Sequence, residues 1–334
     1  MNIKKIGLTA LAGSLVATSA FAVDYSVSGN MITKWSSADA PHQPEASNGK
    51  GIGLDTDVTL SASGELDNGF TVSAVQVWDT DSAVSNTSSQ LSVGMGSLGT
   101  LALNNRFGGK ANGIDDVTPH AYNETWDGLS DTNPSFFGDS IQKGVITYKA
   151  PTFEVAGVSI NAAIDYDTAA DEDAATSGGS TASSNAGTGL VLELAHDSGL
   201  SIGGGQVKVD NGSDLTTGSD EEQVTAYAKY AMGPVSVGYQ EAYQNTANGG
   251  QDKSAQMWSV AYTAGDLSVS YAESSLTTEA TAQAAEVEAE LDSIQVAYSM
   301  GAMTISGAIS ETSNANNVAG QTYEENEIAV SFAF

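Results

Sequence analysis

Large apolar side chains recur at every second position through most of the chain. The last seven residues, Ile328-Ala-Val-Ser-Phe-Ala-Phe334, put bulk at 328, 330, 332 and 334, with Ala or Ser between. The same beat runs through Ile294-Gln-Val-Ala-Tyr-Ser-Met300, Trp258-Ser-Val-Ala-Tyr262, Leu267-Ser-Val-Ser-Tyr271, Met303-Thr-Ile-Ser-Gly-Ala-Ile309 and Val235-Ser-Val-Gly-Tyr239. Successive side chains of a strand point to opposite faces, so each segment predicts a strand with one bulky apolar face and one small polar face. A soluble sandwich would turn the bulky face inward and carry charges outside. Here the second face is mostly Ser, Thr, Ala, Gly and Gln, which suits a wet interior with the bulky face turned to lipid. Tyr25, Trp78, Tyr166, Tyr230, Tyr239, Trp258, Tyr262 and Tyr298 fall near strand ends, where such barrels carry interfacial girdles.

The connections set the strand number. Short turn signals at Leu66-Asp-Asn-Gly69, Ser97-Leu-Gly99, 152–157, Asp197-Ser-Gly199, Ala231-Met-Gly-Pro234, Ala264-Gly-Asp266 and Ser299-Met-Gly-Ala302 alternate with longer polar segments. The long segments lie near 36–51, 79–88, 106–139, 167–187, 210–222, 244–253, 274–290 and 312–322. Fifteen connections join sixteen strands, an even number with short turns at one rim and long loops at the other. Asn68-Gly69 predicts a type I′ hairpin turn, Gly203-Gly-Gly205 a bulge or bend, and the Ala- and Glu-rich stretch 279–291 a short helix. The expected fold is all-β: one transmembrane up-and-down antiparallel β-barrel of 16 strands spanning 23–334.

The start of the chain reads differently. Met1-Asn-Ile-Lys-Lys5 is basic, residues 6–17 are uncharged and mostly apolar, and Ala20-Phe21-Ala22 offers small residues for cleavage. This is the plan of a secretory signal peptide over 1–22, cut after Ala22. Composition then removes whole classes of function. The 334 residues carry 41 acidic against 11 basic side chains, a net charge of −30, so nucleic acid is not an expected partner. With no cysteine there are no disulfides, thiolate metal sites or cysteine nucleophiles. His42, His120 and His196 stand at no metal-ligand spacing, and no phosphate-cradling loop is present. No cofactor and no catalysis are expected, with His120 beside loop carboxylates as the one acid–base alternative.

Several short motifs, taken in order, resemble the Gram-negative general porins, the sixteen-stranded trimeric kind, and more loosely their alphaproteobacterial branch. They are the leader ending Ala20-Phe-Ala22, the opening strand Asp24-Tyr-Ser-Val-Ser-Gly29, Gly96-Ser-Leu-Gly-Thr-Leu-Ala-Leu103 before the longest loop, and the terminal strand ending in Phe334. The resemblance implies a passive diffusion channel in the bacterial outer membrane, a homotrimer, and a third long loop folded into the lumen. It also implies that Phe334 is the signal for the barrel-assembly machinery. Outer-membrane lipid and lipopolysaccharide are the implied surroundings.

By that resemblance 107–139 is the constriction loop. It holds Asp115, Asp116, Glu124, Asp127, Asp131 and Asp139 against Lys110, and carries apolar anchors in Trp126, Leu129, Phe136 and Phe137. Extrapolating strand alternation places Lys34, Arg106, Lys143, Lys149, Lys208 and Lys229 on the lumen side, for Lys208 by taking Val207 and Val209 as lipid-facing. The expectation is an acidic loop edge facing a basic wall, with a field across the pore. Other carboxylates load the outer loops: Asp165, Asp167, Asp171-Glu-Asp173, Asp210, Asp214, Asp220, Glu221, Glu222, Glu279, Glu286, Glu288, Glu290, Glu324, Glu325 and Glu327. Carboxylates are ligands for hard cations, which makes Ca²⁺ at these loops the only metal expectation, although Asp171-Glu-Asp173 lacks EF-hand spacing. The mouth is expected to favour cations mildly. A substrate-selective channel and a secreted β-rich binding protein are the alternatives left open by the residues.

Overall fold

The computed structural model describes residues 23–40, 49–80, 84–127, 132–168, 186–210, 220–246, 250–280 and 285–334. The leader with Ala20 and Ala22, His42, Leu129, Asp131, Asp171-Glu-Asp173 and Asp214 lie outside them.

The strands are β1 (Asp24–Asp39), β2 (Gly49–Glu65), β3 (Thr71–Asp79), β4 (Ser85–Gly94), β5 (Thr100–Asn105), β6 (Val145–Lys149), β7 (Phe153–Val155), β8 (Val158–Asp167), β9 (Gly187–His196), β10 (Leu200–Val209), β11 (Glu221–Met232), β12 (Val235–Asn245), β13 (Lys253–Ala264), β14 (Leu267–Thr278), β15 (Val287–Met300), β16 (Met303–Ser313) and β17 (Thr322–Ala333). Each pairs antiparallel with its neighbours, and β1 pairs with β17, so the sheet closes on itself. β6 and β7 are two pieces of one strand, since both pair with β8. Pro151, which has no N–H to give, sits at the break, and the pairing slips by one residue between Lys149↔Ala163 and Phe153↔Ile160. The barrel therefore has the expected sixteen strands. Closure satisfies edges that an open sheet would leave unpaired. At the seam Gly29 and Phe334 exchange two backbone hydrogen bonds of 2.8 and 3.0 Å, and the Phe334 ring lies over the bare Cα of Gly29.

Alternation behaves as read over most of the ring. Tyr25, Tyr166, Tyr230, Tyr239, Trp258, Tyr262 and Tyr298 are all exposed on the outer face, as are Ile294, Ile309 and Ile328. Inward positions divide into two arcs. On β9 to β15 most are buried, among them Val191, Val207, Gln223, Gln240, Met257 and Gln295, while Glu193 and Lys229 are half-buried. On β1 to β4 the inward side chains, including Asn30, Lys34, Asp55, Asp57, Asp79 and Gln90, stay exposed or half-buried. The chain between β5 and β6 makes the difference, because it covers the first arc.

Three local expectations are corrected. Asn68-Gly69 does not form a type I′ turn, since only Gly69 takes positive φ; the two-residue turn with both φ positive is Ala156-Gly157 (51° and 78°). Residues 287–291 open β15 instead of forming a helix, because Ala289 and Leu291 are wholly buried on the inner face while Glu288 and Glu290 face out. Gly203-Gly-Gly205 makes no bulge, and its register with β9 and β11 is continuous. Those glycines make room. A Cβ on Gly205 would stand 2.8 Å from the Phe137 ring, and one on Gly189 would stand 2.9 Å from the Ile141 side chain. Gly189→Leu should therefore expel the loop while the sheet stays folded, since overfilling such a contact costs about 1–3 kcal/mol. Trypsin should then cut at Lys110 in a variant whose β-sheet circular dichroism is unchanged; full protection would show that the loop does not depend on this seat.

Candidate pore constriction

The described parts of the connection between β5 and β6, 106–127 and 132–144, run along the inner face of the barrel, and their backbone pairs with none of its strands. Wall side chains take that role. The Ala111 N–H donates to Asp165 on β8 (2.6 Å), and the Gly138 N–H to Gln223 on β11 (2.7 Å). Gln240 on β12 accepts from the Val117 N–H (2.9 Å) and donates to the carbonyls of Ile114 and Asp115. Gln295 on β15 accepts from the Tyr122 N–H (3.0 Å) and donates to the Asn123 carbonyl (2.6 Å). Ser259 donates to the Pro119 carbonyl, Ser270 accepts from the Ala121 N–H, and the Tyr122 hydroxyl donates to Glu327 on β17. A primary amide has both a donor and an acceptor, so each glutamine imitates a neighbouring peptide group. Net contributions of about 1 kcal/mol per bond accumulate along the path.

Apolar contact fixes the same loop from its other side. Ala111, Ile114, Phe136, Phe137 and Ile141 form one buried cluster with Val191, Val207, Val209, Tyr227 and Leu276 of the wall. The anchoring expected of Phe136 and Phe137 is thus found, and the wall opposite them is itself apolar. That overturns the placement of Lys208. Val207 and Val209 face inward because they meet the loop, so Lys208 faces out and pairs with Asp220 at 2.7 Å.

The other bases do not gather into a wall. Lys34, Lys149 and Lys229 face inward on β1, β6 and β11, spread around the ring, and Lys34 pairs with Glu327 at 3.3 Å. Arg106 lies one residue past the end of β5 with φ of 54°, so strand alternation does not reach it; Lys143, whose carbonyl accepts the Arg106 N–H at 2.6 Å, likewise precedes β6. Lys110 is drawn to Glu193 at 2.7 Å.

The loop acids take different positions. Asp116 is not available to solutes: its side chain is fully buried, accepting from the Thr118 N–H and hydroxyl (2.7 and 2.6 Å) and meeting His120 Nε2 at 3.1 Å. It shapes a turn, and His120 belongs to that turn. Asp115 remains partly accessible, and burial, reinforced by Glu124, pushes its carboxyl up to about 7. Burial also raises Glu124, which accepts from the Trp126 indole at 2.8 Å, and Asp127, where Lys34 and His120 oppose the rise. The Tyr122 hydroxyl is raised by burial and by the Glu327 carboxylate beside it.

The uncovered arc contains acids that sequence reading missed. Asp57 and Asp79 are direct cross-strand partners on the inner faces of β2 and β3, Asp55 is next along β2, and the Asp57 N–H donates to Asn30 (3.3 Å). Their signal was the alternation Leu54-Asp55-Thr56-Asp57-Val58, in which Leu54 and Val58 face out.

Comparison with known proteins agrees with this geometry. The sequence model of the Gram-negative porins matches residues 7–289. OmpF of Salmonella typhi, solved with daunomycin, superposes at a TM-score of 0.69 with 12% identity, covering 93% of this chain and 97% of that one. An anion-selective porin from Comamonas acidovorans gives 0.65 with 13% identity over 93% and 100%. The trimer form of OmpT from Vibrio cholerae gives 0.64 with 10% identity over 94% and 100%. No curated protein sequence matches. A closed sixteen-stranded barrel with an apolar exterior, matched by that sequence model over most of its length, places the chain in the Gram-negative porin family, as a channel of the bacterial outer membrane.

Proposed function

We propose that this porin passes ions and small hydrophilic solutes by diffusion and favours cations at its narrowest level. One observation carries the reading: the inward positions that water still reaches, on β1 to β4, hold Asp55, Asp57 and Asp79, and Lys34 among them is already paired with Glu327. Across the ring, the loop contributes Asp115, Glu124 and Asp127. Carboxylates on both sides of an aqueous passage walled by low-dielectric protein raise the local concentration of cations and exclude anions. Screening over about 8 Å at physiological ionic strength leaves the effect strongest where the passage is tightest. The mechanism needs no energy coupling. Each solute moves down its own gradient through a hole whose bore is set by the loop. In place of an acidic loop facing a basic wall, this reading puts acids on both sides of the passage, with Lys149 and Lys229 as inward bases elsewhere on the ring.

Under a salt gradient in a planar bilayer, the reversal potential should take the sign of a cation-preferring pore. Asp57→Asn with Asp79→Asn should lower the cation-to-anion permeability ratio roughly twofold; an unchanged ratio would remove these residues from the mechanism.

Asp115 makes the preference depend on pH. A carboxyl held at about 7 is protonated and neutral below that value and charged above it. Cation preference should therefore rise as pH passes from about 6 to about 8, and the rise should vanish in Asp115→Asn. Because the proton is held more tightly in the folded loop than in an unfolded chain, the loop's docking is strongest below about 3.8 and weakens as pH rises from there to about 7, above which it changes no further.

The trimer form of a structural relative and the family resemblance support assembly in threes, within lipid and lipopolysaccharide, after insertion guided by Phe334. Gentle detergent extraction should yield a species of three times the monomer mass, and a monomer alone would count against it.

A further inference from the structure

The outer wall bears a charge pattern that the transport reading does not use. Glu273 of β14 pairs directly with Asp292 of β15, Asp292 with Glu311 of β16, Glu311 with Glu324 of β17, and Glu324 with Asp39 of β1. Five carboxylates thus stand side by side on five neighbouring strands. All five are exposed and face outward, by the same alternation that turns Tyr271, Ile294 and Ile309 out. At the rim that carries the long loops they stand directly above the apolar band on β14 to β16, and one outward position beyond it, past Asn326 and Ser37, on β17 and β1. Direct cross-strand like charges destabilise a sheet. No ion pair among the described residues reaches any of the five. The hydroxyl of Tyr271 donates to Asp292 at 2.6 Å and lies 3.4 Å from Glu273, which offsets part of the crowding at one end only.

Directly below the row the wall is hollow. A groove of about 930 Å³ is lined by Trp35, Val269, Tyr271, Ile294, Ile309 and Ile328, with Gly307 in its floor and Lys50, cross-strand from Ser37, at its β2 end, so the uncompensated part of the row is its centre on β15 to β17. Gly307 pairs with Val296 on one side and Ile328 on the other, so a missing side chain in the middle of an apolar row makes the depression. Ile294, Ile309 and Ile328 are each more than half exposed along it. A hydrocarbon slot capped by a row of negative charge is amphipathic in the sense of a lipid molecule, with the charge at head-group height.

We propose that this groove and its acidic rim bind a lipid whose head group carries a cationic amine, with an acyl chain in the slot and the ammonium between neighbouring carboxylates. This rests on the reading of the chain as a membrane barrel. Paired antiparallel residues stand about 4.5–5.5 Å apart, and an ammonium with three N–H donors can bridge two carboxylates at that spacing. A head group whose only charge is phosphate is repelled by the row unless a further ion enters. A second copy of the chain, with 41 acidic against 11 basic residues, is a poor counter-charge.

The test is native mass spectrometry of the detergent-solubilised protein with an equimolar mixture of lysyl-phosphatidylglycerol and phosphatidylglycerol bearing the same acyl chains. The amine-headed lipid should be retained about tenfold over the other, unaffected by EDTA, with a ratio falling towards one in the Asp292→Asn, Glu311→Gln, Glu324→Gln variant. Val269→Trp, which fills the slot, should lower retention of the amine-headed lipid. Equal retention by the unaltered protein would overturn the proposal. So would phosphatidylglycerol binding that appears only with Ca²⁺ and is lost in EDTA, which would assign the row to cation-bridged phosphate. The chain has no cysteine, so Val269→Cys is a unique label, and disulfide-linked copies through it would assign the groove to a subunit contact. Channel conductance measured on the same preparations keeps the two readings apart: the triple variant should conduct as before, and lipid selection by a sample without channels would count against transport alone.

Discussion

A peptide backbone inside a barrel must find partners away from bulk water, and the architecture of this porin follows from how it does so twice. The strands meet the requirement by closing into a ring. The long inner loop cannot, because it lies against a wall whose own backbone is already paired. It is held instead by side chains that behave as peptide groups, Gln223, Gln240 and Gln295 above all. Their placement at inward positions of β11, β12 and β15 dictates the loop's path, and that path decides which part of the wall is buried and which part meets water. An unpartnered buried amide costs more than a made bond gains, so the arrangement is cooperative: losing one glutamine strands groups on both sides.

Most of the barrel was readable because lipid-facing strands report their environment with period two. Sixteen strands, both rims and the aromatic positions all follow from that alternation and from turn spacing. The reading failed where an inward residue does not face water. Val207 and Val209 look like lipid-facing residues because they meet Phe137 and Ile114 across the loop contact, and the error carried Lys208 to the wrong side. The Gly203–Gly205 run has the same explanation: its space is filled by a segment distant in sequence. Ala289 and Leu291 suit a helix by intrinsic preference, but pairing and burial override that preference. Asp116 could be counted as a pore acid only until its turn was visible.

Charge is arranged at two scales that do not depend on each other. Inside, acids are distributed across the passage and their protonation is tuned by burial at Asp115. Outside, a lateral row is produced simply by registers that align one acid per strand from β14 to β1. The ring geometry explains both. A fixed stagger between antiparallel neighbours converts residues far apart in sequence into a continuous belt, which composition alone cannot reveal.

The split between a packed arc and a hydrated arc has a consequence for how such a channel can change. Side chains on β9 to β15 are interlocked with the loop, so most replacements there are felt first as misfolding. Those on β1 to β4 touch mainly water and one another. A lineage could exchange Asp57 or Asp79 for a base and so shift the charge of the passage with little disturbance to the scaffold. Variation in permeability would then accumulate on one quarter of the circumference, while the remainder stays under the discipline of packing.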